Sequence, residues 1–318
     1  MGCGTMKLAL TSLILPILIL GLVGCLRVDY DYAGYIDSVK EDINYVGQSM
    51  AYELDEPKLS MLNINHEIFE HSVLFPRPYQ IEGRVVAGVV PHHLTASTMI
   101  SGFFSQLNKY SDYYDTVIIL APNHMGGLGD FVLSYRDWDV EEGVFSDKDF
   151  IKSLMSEERF NAVIDHENIE KDHSASVLIP YINYYLPETE VATVLLNSGL
   201  GFDSLVDFSQ WLYSWVESSE KNILLVCSID FSHFLTMREA IKNDKITAEA
   251  ILNREYHKIM SFNDNYLDSP AAINIFLMYL EKYELWPQII DNTDATEFLG
   301  PGLDETTSYM VIVGTTDL

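Results

Sequence analysis

Four short motifs carry histidine in order along the chain: Pro91-His92-His93, Pro122-Asn123-His124, Asp172-His173-Ser174 and Asp230-Phe231-Ser232-His233. Imidazole is the commonest metal ligand and the usual acid–base group near neutral pH, so several in one place build a metal centre or a proton-transfer cluster. Ahead of His92 and His124 stands a proline, which keeps the preceding residue extended and lets the histidine emerge where a strand stops. We read His92 and His124 as metal ligands. A site of two histidines and one carboxylate needs an acid from elsewhere, and Asp268, in Tyr266-Leu267-Asp268-Ser269-Pro270, is the local candidate. The same stretch also reads as a helix start, with Ser269 as cap, Pro270 in the first turn and Asp268 as favourable charge. His93 is expected to face away from His92, because neighbours in an extended chain alternate; it is either a supporting group or a packed one.

The two remaining motifs read as helpers. Asp230 and His233 pair a carboxylate with an imidazole, which fixes a tautomer and raises basicity, as a general base or a metal-supporting pair requires. In Asp172-His173-Ser174 the aspartate or serine can cap a helix while His173 faces the site. His173, Asp230 and His233 are thus the catalytic candidates. Ser232 lacks the G-x-S-x-G surroundings of a hydrolase nucleophile. Cys227, inside Ile223-Leu224-Leu225-Val226, reads as a small buried hydrophobe. His66, His71, His166 and His257 lie in polar, irregular or helical stretches and are expected on the surface.

These groups need a scaffold that brings separate strand ends together. Val85–Val90, Thr116–Leu120, Val191–Leu196, Asn222–Cys227 and Tyr309–Val313 are short apolar runs of the buried parallel-sheet kind, with Phe131–Tyr135 a sixth. Between them, Thr95–Leu107, Ser174–Tyr185, Phe202–Val216, Arg238–Leu252 and Pro270–Tyr283 have helical spacing. The alternation predicts an α/β sandwich with a largely parallel central sheet and helices on both faces. In such sheets ligands gather beyond the carboxyl ends of the strands, where His92, His124 and His233 fall. Gly126-Gly127-Leu128-Gly129 lacks the lysine of a phosphate loop and reads as a mobile site loop.

The chain has 318 residues, 48% of them hydrophobic, enough for a sizeable core. Its formal charge of −28, from 47 acidic and 19 basic residues, repels phosphate backbones, so nucleic acid is excluded as a partner. Lys7, the apolar run Leu8–Leu22 and Leu22-Val23-Gly24-Cys25 read as a signal segment that resembles a bacterial lipobox. The expected organisation is a signal peptide over 1–24, a lipid-anchored tether and embellishment over 25–80, acylated at Cys25, and an α/β domain over 81–318. An uncleaved transmembrane anchor is the alternative; both readings place the domain at a membrane, on its extracytoplasmic side for the lipoprotein.

Taken in order, Val89-Val90-Pro91-His92, Leu120-Ala121-Pro122-Asn123-His124, Asp172-His173-Ser174 and Ser228-Ile229-Asp230-Phe231-Ser232-His233 resemble the Memo family, whose prokaryotic members are called AmmeMemoRadiSam system protein B. The resemblance covers about Gly83–Thr316. It implies a fold similar to the class III extradiol dioxygenases and a metal pocket in which His92 and His124 match ligand histidines and His173 and His233 match further histidines. It also implies a functional link to a radical-SAM protein. The family's third ligand is commonly a cysteine shortly before a helix; here that stretch holds none. Either Asp268 takes its place or the metal is weak or absent.

Three functions follow as expectations. One is a divalent-metal redox enzyme acting on a small molecule, with iron or copper in preference to zinc. The second is a binding module that recognises a peptide or small ligand in the same pocket, with Tyr135, Trp138 or Phe234 at its mouth. The third is a zinc-type hydrolase.

Overall fold

The computed structural model describes residues 57–141 and 143–317. The lipobox with Cys25 lies outside the described residues. Among those described, no helix is long and apolar enough to cross a membrane.

Each of the six apolar runs becomes a strand, and two further strands, the fourth and seventh, join them: β1 (Arg84–Val90), β2 (Thr116–Pro122), β3 (Phe131–Leu133), β4 (Ala162–Ile164), β5 (Glu190–Leu196), β6 (Ile223–Ser228), β7 (Gln288–Asp294) and β8 (Ser308–Thr316). They form one sheet in the order β4-β3-β5-β2-β6-β1-β8-β7. The four central strands, β5-β2-β6-β1, are mutually parallel. Toward the edges the sheet turns antiparallel, where β3 meets β5, β8 meets β1 and β7 meets β8. The parallel character is thus concentrated in the centre, where long helical crossovers link the strands, with one further parallel pair, β3 with β4, at an edge. Between β7 and β8 there is only the short helix Ala295–Leu299, and the chain returns antiparallel.

Alternation along β2 shows how both faces are filled. Ile118 and Leu120 pack with Leu205, Phe208 and Phe276 from the helices Phe202–Ser219 and Pro270–Lys282. Val117, Ile119 and Ala121 pack with Ile100, Phe103 and Ile182 from the helices Ser97–Leu107 and Ile179–Tyr185. All of these side chains are fully buried, and each contributes about 1.5–3 kcal/mol relative to exposure. Gly88 matters to this packing, because a Cβ there would stand 2.5 Å from the Phe103 ring. It lets the helix that follows His92 and His93 lie directly on β1.

Residues 57–80 pack onto the domain. Leu59 and Tyr79 are buried, the Ser72 hydroxyl lies 3.0 Å from that of Tyr181, and Arg77 pairs with Asp291 at 2.6 Å. The expected helix Ser174–Tyr185 is broken into His173–Ser176 and Ile179–Tyr185. Pro180 in the first turn of the second piece has no N–H to continue the first.

Candidate metal centre

The carboxyl ends of β2, β6 and β1, three neighbours in the sheet, deliver His124, the Asp230–His233 loop and His92 to one place. His173 joins them from the N-terminus of its short helix. The ligand-capable atoms of His92, His124 and His173 all lie within 4.8 Å of one another. Their ring centroids are 5.3, 5.1 and 4.7 Å apart. The site forms the floor of a cavity of about 590 Å³.

Hydrogen bonds fix which nitrogen each ligand candidate offers. The Ser228 hydroxyl donates to the Ser174 carbonyl, so its oxygen is left to accept from Nδ1–H of His92, 3.3 Å away. This leaves His92 Nε2 with a lone pair, buried and without a hydrogen-bond partner. On His124, Nδ1 lies 3.0 Å from Asp172 Oδ1, while Oδ2 of the same carboxylate accepts the His124 backbone N–H at 2.7 Å. Asp172 therefore holds both the backbone and the ring of His124 and leaves Nε2 free. It also accepts from Ser174 N at 2.9 Å as the helix cap. A carboxylate behind a histidine is the usual support for a metal-binding imidazole.

Asp268 stands where the sequence reading put an acid, with Oδ2 3.3 Å from His92 Nε2. Two donors on one ion at about 2.1 Å sit roughly 3.0–3.4 Å apart, so the spacing fits a shared ion. Asp268 is nevertheless outside the three-histidine group, and His173, read as a helper, lies within it. The helix start is as expected: Ser269 caps Pro270–Lys282 by accepting from Ala272 N. Asp268 is further held by Asp230, accepting from its backbone N–H at 3.2 Å.

Asp230 is wholly buried and faces different partners from those its sequence neighbours suggest. Its Oδ1 accepts from His92 N at 3.0 Å, and its Oδ2 lies 2.6 Å from His93 Nδ1 and 3.5 Å from His92 Nε2. His93 thus turns into the site, contrary to the alternation argument. The reason is that β1 has ended at Val90, and the chain is already entering the 3-10 turn Leu94–Ala96. His233 completes a second group with His93 and Asp230.

Burial dominates the electrostatics. It pushes His92 down to about 3, with only partial opposition from Asp230, and holds His173 and His233 below the ordinary imidazole value. Burial also raises Asp268 well above the carboxylate range, helped by the charge of Asp230. Asp230 is driven the other way: burial is outweighed by His92 and His93, and it stays ionised. For His93 burial is likewise outweighed by the Asp230 contact, and its value is raised.

The cavity wall combines Leu196, Leu200, Met260, Phe262 and Phe234, and among the described residues it includes no lysine or arginine. Phe234 is 71% exposed at the mouth, whereas Tyr135 and Trp138 are buried in the core and do not line it. Cys227 is buried in β6 facing Ala272 O, away from the ligand group. Ser232 donates to Asp244 at 2.7 Å. His66, His71 and His257 are exposed as expected, but His166 is half-buried, 2.8 Å from Ser134 Oγ, and burial pushes it down to about 4.

A family model described as Memo-like protein matches residues 50–294. A MEMO1 family protein of Methanococcoides burtonii is 26% identical over 180 residues, 55% of this chain and 65% of that protein. One from Desulfurococcus amylolyticus is 27% identical over 219 residues, 65% and 75% of the two chains. The chain thus spans just under two thirds of the first relative's length. A crystal structure of an uncharacterized protein from Escherichia coli K12 aligns with a TM-score of 0.49 at 13% identity, over 73% of this chain and 100% of that one. With the family model covering most of its length, the chain belongs to the Memo-like protein family.

Proposed function

We propose that this chain is a metal-dependent enzyme acting on a small, largely apolar molecule, with iron or copper held by His92, His124 and His173 and with Asp268 beside them. One observation carries the reading: the Nδ1–H of His92 and of His124 are both committed to hydrogen bonds, so two Nε2 lone pairs are offered to one place, one on a buried ring and one on a ring open to the cavity. The buried lone pair of His92 costs desolvation and returns nothing unless a cation or a proton meets it. The donor set suits a borderline divalent ion.

When bound, iron or copper supplies electron transfer and open coordination positions. The protein's own residues do the rest. Asp172 and Ser228 hold the two rings in one tautomer. Leu196, Leu200, Phe262 and Met260 exclude water around a substrate. The raised Asp268, lining the cavity, is placed to give a proton.

Metal content of the purified chain beside a His92→Ala/His124→Ala double mutant tests this. The wild type is expected to retain iron or copper and the double mutant none; equal and negligible metal in both would sink the reading. The three-histidine set specifically favours a second reading, a zinc-bound water for hydrolysis. Zinc in the wild type, with hydrolytic activity lost in the double mutant, would select it. The lipobox at Leu22–Cys25 further supports anchoring of this domain at an extracytoplasmic membrane surface, tested by palmitate labelling that Cys25→Ala should abolish.

A further inference from the structure

Beside the three-histidine group lies a second set of donors whose chemistry is unspent. We propose that His93, Asp230 and His233 form a second divalent-cation site, so that the pocket takes two ions sharing the Asp230 carboxylate. The inference rests on the metal reading of the first group.

Four observations carry it. The ligand-capable atoms of His93, Asp230 and His233 lie within 4.8 Å of one another, the same closeness found in the first group. One buried nitrogen in this set, His233 Nδ1, has no hydrogen-bond partner, and it belongs with an aspartate that is 0% exposed. A simple ion pair would account for the 2.6 Å contact of His93 with Asp230, but it leaves His233 Nδ1 with nothing to bind. Asp230 Oδ2 lies between the groups, 2.6 Å from a nitrogen of one and 3.5 Å from a nitrogen of the other. A carboxylate so placed bridges paired ions, which in two-metal sites stand about 3.5–4 Å apart.

Charge balance points the same way. Asp172, Asp230 and Asp268 are buried around the five histidines, Asp264 stands at the rim, and neither lysine nor arginine lines the cavity among the described residues. With Asp268 holding its proton, the other three carboxylates still exceed the charge of one divalent ion. The adjacent histidines are the device that makes a second ion possible: at the end of β1 His92 feeds the first group while His93, one residue on, feeds the second.

Cobalt(II) titration of the metal-stripped full chain, under nitrogen and followed by equilibrium dialysis and visible absorption, tests the site. Wild type should take up two equivalents and His93→Ala one, with a circular dichroism spectrum matching wild type. His92→Ala/His124→Ala should also keep one. Removing His93 leaves buried Asp230 without its ion-pair partner and costs stability, so the wild-type stoichiometry decides the matter if that variant does not fold. A single equivalent in wild type overturns the second ion; if His92→Ala/His124→Ala removes that equivalent, the three-histidine site still stands. Two equivalents unaffected by His93→Ala overturn the assignment to these residues. No uptake at all sinks both sites.

Discussion

The two ends of the central strands hold polar clusters that look alike in composition and differ in how they are satisfied. At the amino ends, buried Asp147 accepts from Thr116 Oγ1 at 2.8 Å, Phe150 N at 3.0 Å and Lys221 Nζ at 2.9 Å, and Lys221 reaches Glu190 at 2.8 Å. Each charge meets its opposite. At the carboxyl ends, Asp230 Oδ2 pairs with His93 at 2.6 Å, but His92 Nε2, His233 Nδ1 and Asp268 Oδ1 have no hydrogen-bond partner, and among the described residues lysine is missing from the lining. A fold leaves buried polar atoms unpaired at a cost. The paired cluster ties the sheet to its helices, and the unpaired one is kept for something that binds.

Substitutions at either end separate these roles. The largest effect is expected at the unpaired end: His92→Ala should lower metal affinity at least 100-fold, read by competition with a chromophoric chelator, while the metal-free protein loses little stability. Asp147→Ala should do the reverse. Removing the cap of Lys148–Met155 and leaving Lys221 without its buried partner should cost about 3 kcal/mol in denaturant unfolding, with metal content unchanged. If Asp147→Ala also emptied the metal site, the two ends would not be independent.

Acid should act mainly through the unpaired end. Folded His92 stays neutral down to about 3 while its unfolded counterpart takes up a proton near 6.5, so the unfolded state binds more protons across that window. Stability is therefore present above about 6.5 and is lost as pH falls. His173 and His233 add to this, as does ionised Asp230, whereas Asp268, already holding its proton, works in the opposite sense. The melting temperature of the metal-free chain should fall between pH 6.5 and 4.5, and His92→Leu should flatten the decline. The smallest effect is at the mouth: Phe234→Ala should leave stability within about 0.5 kcal/mol, since the ring is mostly exposed.

The central strands were legible because a parallel strand covered on both faces must be apolar throughout, as Thr116–Leu120 is. β7 was not, since Gln288–Asp294 is an edge strand paired only with β8 and carries polar residues. β4 is three residues long and gives no periodic signal. In the site, His92 and His124 could be read from the proline before each. His93 could not, because the alternation rule fails once the strand has ended. Nor could the closeness of His173 to His92 and His124, which depends on how a short helix packs across the end of β2. The sequence does carry one signal for His93: two adjacent histidines at a strand end can serve two neighbouring clusters.

The central claim is that the unpaired atoms beyond β1, β2 and β6 exist to hold metal. Anomalous diffraction from crystals of the purified chain, collected on either side of the absorption edge of the metal found in it, tests this most directly. The account predicts a peak within bonding distance of His92 Nε2 and of nitrogens on His124 and His173. A peak elsewhere, or an ordered water or side chain satisfying His92 Nε2 with no anomalous signal, would contradict it.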